Sequence, residues 1–199
     1  MLKKILIATH NPSKFAQMKQ ILEPLNTQLV SLADCGITVD VEESGTTLEE
    51  NARIKAHFYA TLSGLPALAD DSGLEVDALG GKPGVHSSRW AGTDKTDLEK
   101  VNFLLEKMNP IPDMQRTARF SCSVVLAYPD GTEKKWYGTT EGLITCDKRG
   151  TLKKGFPYCT VFLLPEYGKT MAELADEGIL YRAHRLITLE KVIADLKNR

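Results

Sequence analysis

Cysteine is scarce in this chain: four residues, at 35, 122, 146 and 159, with no C-x-x-C pair and no dense framework. That spacing excludes a disulfide scaffold and the common structural zinc sites. Long hydrophobic runs are missing too. The opening MLKKILIATHNP carries two lysines and a short apolar stretch, but Thr9, His10 and Asn11 interrupt it too early for a signal peptide. No segment approaches the length of a membrane span. Charge of one sign is also absent, because 25 basic residues nearly cancel 26 acidic ones. No Lys/Arg cluster interleaved with aromatics marks a nucleic-acid stripe, so any polyanion bound here is expected to be small. Repeats, low-complexity stretches and linkers are not evident. The expectation is a reduced, cytoplasmic, soluble protein that binds neither nucleic acid nor membrane. Its 199 residues are enough for one sizeable core and are expected to form one domain.

What is present alternates between helix and strand. KKILIAT has the pattern of a buried strand, and Asn11-Pro12 then supplies an N-cap followed by proline at the first helical position. Phe15, Met18, Ile21 and Leu22 form the apolar face of that helix, which ends before Asn26 and Thr27, and a strand follows around Gln28 to Leu32. Capping boxes at Thr47-Leu-Glu-Glu50 and Thr96-Asp-Leu-Glu99 open two further helices. The first carries Leu48, Ala52, Ala56 and Tyr59 and stops at Gly64; the second carries Leu98, Val101, Leu104, Leu105 and Met108. From Arg116 the period changes to two, and Asp130-Gly131 turns a long hairpin that returns through Trp136. YCTVFLL reads as one more strand, and Leu186, Leu189, Val192, Ile193 and Leu196 as the stripe of a last helix. This order predicts an α/β fold with a mixed central sheet flanked by helices.

Within it, ALADDSGLEVDAL reads as strand, tight Asp-Ser-Gly turn, strand, with Asp70 and Asp71 at its centre. Two readings compete. Turn chemistry accounts for one aspartate, with Gly73 as a turn residue; a divalent cation accounts for both, by offsetting their repulsion. THNPSK, from Thr9 to Lys14, stands where a strand meets a helix. It is either an ordinary turn with a surface lysine, or a phosphate cradle made of free helix amides, the helix dipole and Lys14. Glu43, just before Ser44-Gly45, adds an acid at another loop-to-helix junction, where open α/β sheets gather ligand sites. Cys35 and Cys122 lie in apolar surroundings without a companion histidine and read as inert core residues. His10, His57 and His86 lack metal-ligand spacing.

Four stretches together carry a resemblance. T-x-N-x-x-K at 9–14, E-S-G-T-T-L-E-E-N-A at 43–52, A-D-D-S-G-L-x-V-D-x-L-G-G-x-P-G at 69–84 and S-x-R-W-A-G at 87–92 resemble the inosine/xanthosine triphosphate pyrophosphatase family, from Ile5 to the final helix. The resemblance implies a single two-lobed domain over residues 1–199 with an active-site cleft between the lobes, working as a homodimer. It implies Mg²⁺-dependent cleavage of ITP, dITP and XTP to the monophosphate and pyrophosphate. By the same resemblance, Asp71 is the metal-linked proton acceptor, Asp70 supports it, and Glu43 with Asp71 holds Mg²⁺. Lys14 with Thr9 and Asn11 grips phosphate, while Ser72 and Arg89 touch substrate.

In the base-recognising part the chain departs from the family pattern. The family's G-F-G-Y-D-P stands here as Gly155-Phe156-Pro157-Tyr158-Cys159-Thr160, and its K-x-x-x-S-H-R falls on Ile179 through Arg185, with Ala183 for serine. Phe156 and Tyr158 are either core aromatics or base-stacking groups. His184 and Arg185 are either exposed helix-start residues or donors to a 6-keto oxygen. Three functions follow: a pyrophosphatase for deaminated purine nucleotides, a relative with shifted base preference, or a nucleotide-binding regulator that does not turn over. The retained Glu43, Asp70, Asp71 and Lys14 argue against the third.

Overall fold

The computed structural model describes residues 2–179 and 181–197. In chain order it runs β1 (Lys4–Ile7), α1 (Pro12–Leu22), β2 (Gln28–Ser31), α2 (Leu48–Ser63), β3 (Ala67–Val76) and α3 (Asp97–Met108). There follow β4 (Thr117–Ala127), β5 (Glu133–Ile144), β6 (Phe162–Leu164), β7 (Lys169–Thr170), α4 (Met171–Asp176) and α5 (His184–Lys197). The strands form a mixed sheet of order β2-β1-β3-β4-β5-β6-β7. By its packing the chain divides into two compact units: residues up to 72, 122–138 and 184 onward form one, and Gly73–Ser121 with Thr139–Ala183 the other.

In the first unit β1 pairs in parallel with both β2 and β3, the pattern that crossover helices impose. Side chains alternate across such strands. One face carries Ile5, Ile7, Leu68, Cys122, Val124 and Leu126, packed with Met18 and Leu22 of α1 and Leu189 and Val192 of α5. The opposite face carries Leu6, Ala67, Ala69, Val125 and Ala127 under Ala52, Ala56 and Tyr59 of α2. The helix ends follow their signals. Asn11 accepts from the amides of Ser13 and Lys14, Thr47 and Glu50 close a full capping box, and Gly64 ends α2 in the left-handed region at φ 67°.

The second unit packs α3 and α4 on Leu74, Val76, Ala118, Phe120, Ile144 and Phe162. Its strands β5, β6 and β7 pair antiparallel. Arg116 is buried there and donates to four carbonyls, those of Met108, Ile111, Ile144 and Thr145, at 2.9–3.2 Å. The α3 stripe is narrower than the pattern predicts, since Leu98 is exposed.

Two expectations need correction. YCTVFLL is not one strand: Pro157–Thr160 form a 3₁₀ turn and only Phe162–Leu164 is extended. Pro157 has a fixed φ and no amide for a ladder, and the Thr160 hydroxyl donates back to its carbonyl at 2.9 Å. The Asp-Ser-Gly segment is not a turn either, because β3 runs unbroken from Ala67 to Val76. Gly73 answers a different demand: a Cβ there would lie 2.3 Å from the Gly84 carbonyl oxygen.

Candidate active site

A continuous strand changes the meaning of the paired aspartates, because successive residues on a strand point to opposite faces. Asp70 shares the face of Leu68, and Asp71 the face of Ala67 and Ala69. Each finds its own cations. Asp70 accepts from Arg185 Nε at 3.0 Å and lies 3.4 Å from Lys14 Nζ. Burial alone would raise its carboxyl, but Lys14, Arg185 and Lys55 outweigh that cost and hold it well below the usual carboxylate range. Asp71 lies 3.5 Å from Lys55 Nζ and accepts from Asn51 Nδ2 at 3.2 Å. Burial, opposed by Lys55 and assisted by nearby Glu43, pushes the Asp71 carboxyl up from its ordinary value.

Lys55 is one of the residues that sequence reasoning missed, with Asn51 and Gln17. Its ammonium sits 2.7 Å from Glu43 Oε1 while also facing Asp71, so one cation bridges the acid of the loop and the acid of the strand. Desolvation would lower its pKa, yet Asp71, Glu43 and Asp70 together raise it. A signal was present in the sequence. Asn51 and Lys55 stand four residues apart on α2, each just before a residue of its apolar stripe, Ala52 and Ala56, which places both polar groups along one inward line.

That bridge also tests whether the residues suit a divalent metal. Glu43 and Asp71 already converge on a single positive charge. Among the described residues no group of three or more His, Cys, Asp or Glu side chains is placed to hold a metal ion. Mg²⁺ ordinarily takes one or two carboxylates and completes its shell with water and substrate phosphate, so a two-carboxylate donor set fits it.

At the start of α1 the cradle differs from expectation. Pro12 has no amide hydrogen, and Asn11 Oδ1 accepts from the amides of Ser13 at 2.9 Å and Lys14 at 3.2 Å. The amides that a phosphate would have used are therefore capped. The donors that remain are the Lys14 ammonium, the Asn11 side-chain amide and the Thr9 hydroxyl, whose oxygen accepts from Asn11 N–H at 3.2 Å. His10, between them, contacts the Val39 carbonyl and the Tyr59 hydroxyl, each at 3.1 Å, which ties this turn to the loop leading to Glu43.

His184 and Arg185 are not exposed helix-start residues; both are buried. Arg185 donates to Asp70, to Ser72 Oγ at 3.0 Å and to Gln17 Oε1 at 2.7 Å. Its guanidinium thus belongs to the Asp70 carboxylate. Thr9, Asn11, Lys14, Glu43, Asp70, Asp71, Ser72, His184 and Arg185 all fall in the first unit. Arg89, Phe156 and Tyr158 fall in the second. There Tyr158 is a core residue whose hydroxyl donates to the Ser87 carbonyl at 3.0 Å, whereas Phe156 and Arg89 are partly exposed.

The model of the Ham1 family matches residues 5–195 of this chain. A dITP/XTP pyrophosphatase of Thermus thermophilus is 45% identical over 195 residues, covering 98% of this chain and 92% of the relative. The dITP/XTP pyrophosphatase of Bacillus subtilis is 41% identical, covering 96% of each. Among solved structures, a HAM1 protein from Coxiella burnetii superposes with a TM-score of 0.89 at 38% identity, over the full length of both chains.

Proposed function

Because the chain belongs to the Ham1 family, we propose that it is a nucleoside triphosphate pyrophosphatase. Its substrates are deaminated purine nucleotides, ITP, dITP and XTP, which it converts to the monophosphate and pyrophosphate. Full-length relatives that bear the name dITP/XTP pyrophosphatase support the substrate class. The Glu43–Lys55–Asp71 arrangement is the observation that carries the chemistry.

In this reading Asp71 accepts the proton of a water whose oxygen attacks the α-phosphorus; the bond to the β-phosphate oxygen breaks and pyrophosphate leaves. A carboxylate raised by burial is a better base than an exposed one. Glu43 and Asp71 would hold Mg²⁺, which when bound neutralises phosphate charge and makes a coordinated water more acidic. Lys14, Asn11 and Thr9 hold the phosphate chain. Asp70, anchored by Arg185, keeps Lys14 in place and never needs to touch the metal. Phe156, Tyr158 and Arg89 contact the base. The chain works as one two-lobed domain, as a homodimer in the cytoplasm; among the described residues no helix is long and apolar enough to cross a membrane.

A shifted base preference is the second reading, favoured by Pro157, Cys159, Ile179 and Ala183 at positions where the resemblance breaks. One experiment separates the readings: pyrophosphate release measured from ITP, dITP, XTP, GTP and ATP. Turnover of the inosine and xanthosine forms well above GTP and ATP is expected, abolished by chelator and restored by Mg²⁺. A maximum on a standard nucleotide selects the second reading. No turnover of any triphosphate with Mg²⁺ present overturns both.

A further inference from the structure

Asn51 is wholly buried at the start of α2. Its Nδ2 donates to Asp71 Oδ2 at 3.2 Å, and its Oδ1 accepts from the Gly45 amide at 2.8 Å. Those two partners determine the orientation of the amide. Turned over, its NH₂ would face a donor and its oxygen would face a carboxylate. The Gly45 contact is close as well as directional: a Cβ at Gly45 would lie 2.7 Å from Asn51 Oδ1 and 2.7 Å from Glu50 Cβ. The Gly45 backbone, two residues after Glu43, is thus seated against the helix by Asn51, beside the Thr46 and Thr47 amides that donate to Glu50 and the Glu43 carboxylate that Lys55 holds. On the other side, Asn51 occupies Oδ2 of Asp71, and it is Oδ1 that faces Lys55.

We propose that Asn51 is a positioning residue for hydrolysis, which fixes Asp71 Oδ2 so that Oδ1 is aimed at the reacting water and holds the Glu43 loop against the same aspartate. The inference rests on the reading of Asp71 as proton acceptor. A purely structural Asn51 would have a different signature. It would satisfy the Gly45 amide and stabilise the fold, and its loss would act independently of Asp71.

A double-mutant cycle distinguishes the two. We would measure kcat and KM for ITP, with the thermal midpoint, for Asn51→Ser, Asn51→Asp, Asp71→Asn and the combination of Asn51→Ser with Asp71→Asn. Asn51→Ser is expected to lower kcat about tenfold to a hundredfold with little change in KM, the scale of a displaced catalytic group. Asn51→Asp is nearly isosteric and keeps the acceptor for Gly45, but presents an oxygen to Asp71. It should lose at least as much kcat, and it carries the test if the serine variant does not fold. In the Asp71→Asn background, Asn51→Ser should change kcat less than about twofold, because the group it orients is already gone. Equal losses in both backgrounds, or an Asn51→Asp enzyme with parental kcat, would overturn the proposal. Asp71→Asn at the parental rate would overturn the assignment of Asp71 and this inference with it, an outcome visible in the single variant before the cycle is closed.

Discussion

His184 is a titratable side chain held where its proton is unwelcome. Burial, and the neighbouring Arg185 charge, push its imidazole down to about 3, with Asp70 opposing. The unfolded chain therefore binds a proton at higher pH than the folded one. A histidine depressed in this way contributes stability that is complete above its unfolded pKa, near 6.5, and is lost as pH falls towards its folded value. The slope approaches about 1.4 kcal/mol per pH unit for one proton. Urea unfolding of the parent at a series of pH values should show falling stability between about pH 6.5 and pH 5, above most carboxylate titrations. His184→Gln should be flatter over the same window, and parallel curves would show that His184 is not the group responsible. At this scale the sequence disclosed the acids and Lys14 and concealed their partners. Asp70 and Asp71 were visible as a pair. Their division between two faces followed only once Ser72 and Gly73 proved to continue a strand. Lys55, Asn51 and Gln17 sit in helices where lysine, asparagine and glutamine are ordinary surface residues; the spacing of four between Asn51 and Lys55 is the one hint of a shared inward line, and Gln17, partly exposed, carries none.

Elements were easiest to read where local chemistry decides them. The capping boxes at Thr47 and Thr96 and the left-handed Gly64 lie where the sequence put them, because each satisfies helix-end amides or carbonyls without tertiary help. A further box at Thr170, closed by Glu173, opens α4, which is too short for a periodicity argument to find. Segments placed by long-range contact were harder. Gly138 in β5 looks like an ordinary strand glycine, yet a Cβ there would meet Thr188 Oγ1 at 2.5 Å and the His184 carbonyl at 3.1 Å. The first turn of α5, with Arg185, depends on that approach. Arg116 gives a test of such tertiary placement. Four carbonyls, the last of α3 among them, share one planar guanidinium, and a lysine ammonium cannot reach all of them with its three hydrogens. Arg116→Lys should therefore cost on the order of 2–4 kcal/mol. For a chain of this length that corresponds to a fall of roughly 5–15 °C in the thermal midpoint, with KM for the triphosphate unchanged. A midpoint within about 1 °C of the parent would mean the carbonyls find other donors.

Across the whole molecule, the charged machinery and the departures from the family pattern fall in different units. Glu43, Lys55, Asp70, Asp71, Lys14 and Arg185 belong to the first; Pro157, Cys159, Ile179 and Ala183 belong to the second. That division was not legible in the sequence, since each unit is assembled from separated stretches whose meeting depends on strand order. It leads to a prediction about which kinetic quantity each unit governs. Substitutions among the carboxylates and lysines of the first unit should scale turnover for every triphosphate together, because all share the same phosphate chain and metal. Those around Cys159 should move the ratios between bases. Cys159 is partly buried and packs with Tyr181 and Ala183 against the second unit's core, so a change there has polar consequences that bulk water does not erase. A thiol is a weak donor and acceptor, whereas a carboxylate accepts strongly from the ring N–H groups of hypoxanthine and xanthine. A site that pairs with a particular ring edge penalises a mismatch by about 1–3 kcal/mol for each unpaired group. Cys159→Asp should therefore raise the kcat/KM ratio of the 6-keto purine triphosphates ITP, XTP and GTP over ATP modestly, because guanine shares the N1–H of hypoxanthine whereas adenine N1 carries no hydrogen. Adding Pro157→Gly, which restores a backbone amide and a free φ, and Ile179→Lys, which places a charge on a partly exposed side chain, should raise it further. The check is kcat/KM for ITP, XTP, GTP and ATP in the parent, single and triple variants at one Mg²⁺ concentration. If the four values fall in parallel, the residues around Cys159 do not read the base, and selectivity must be sought in the first unit.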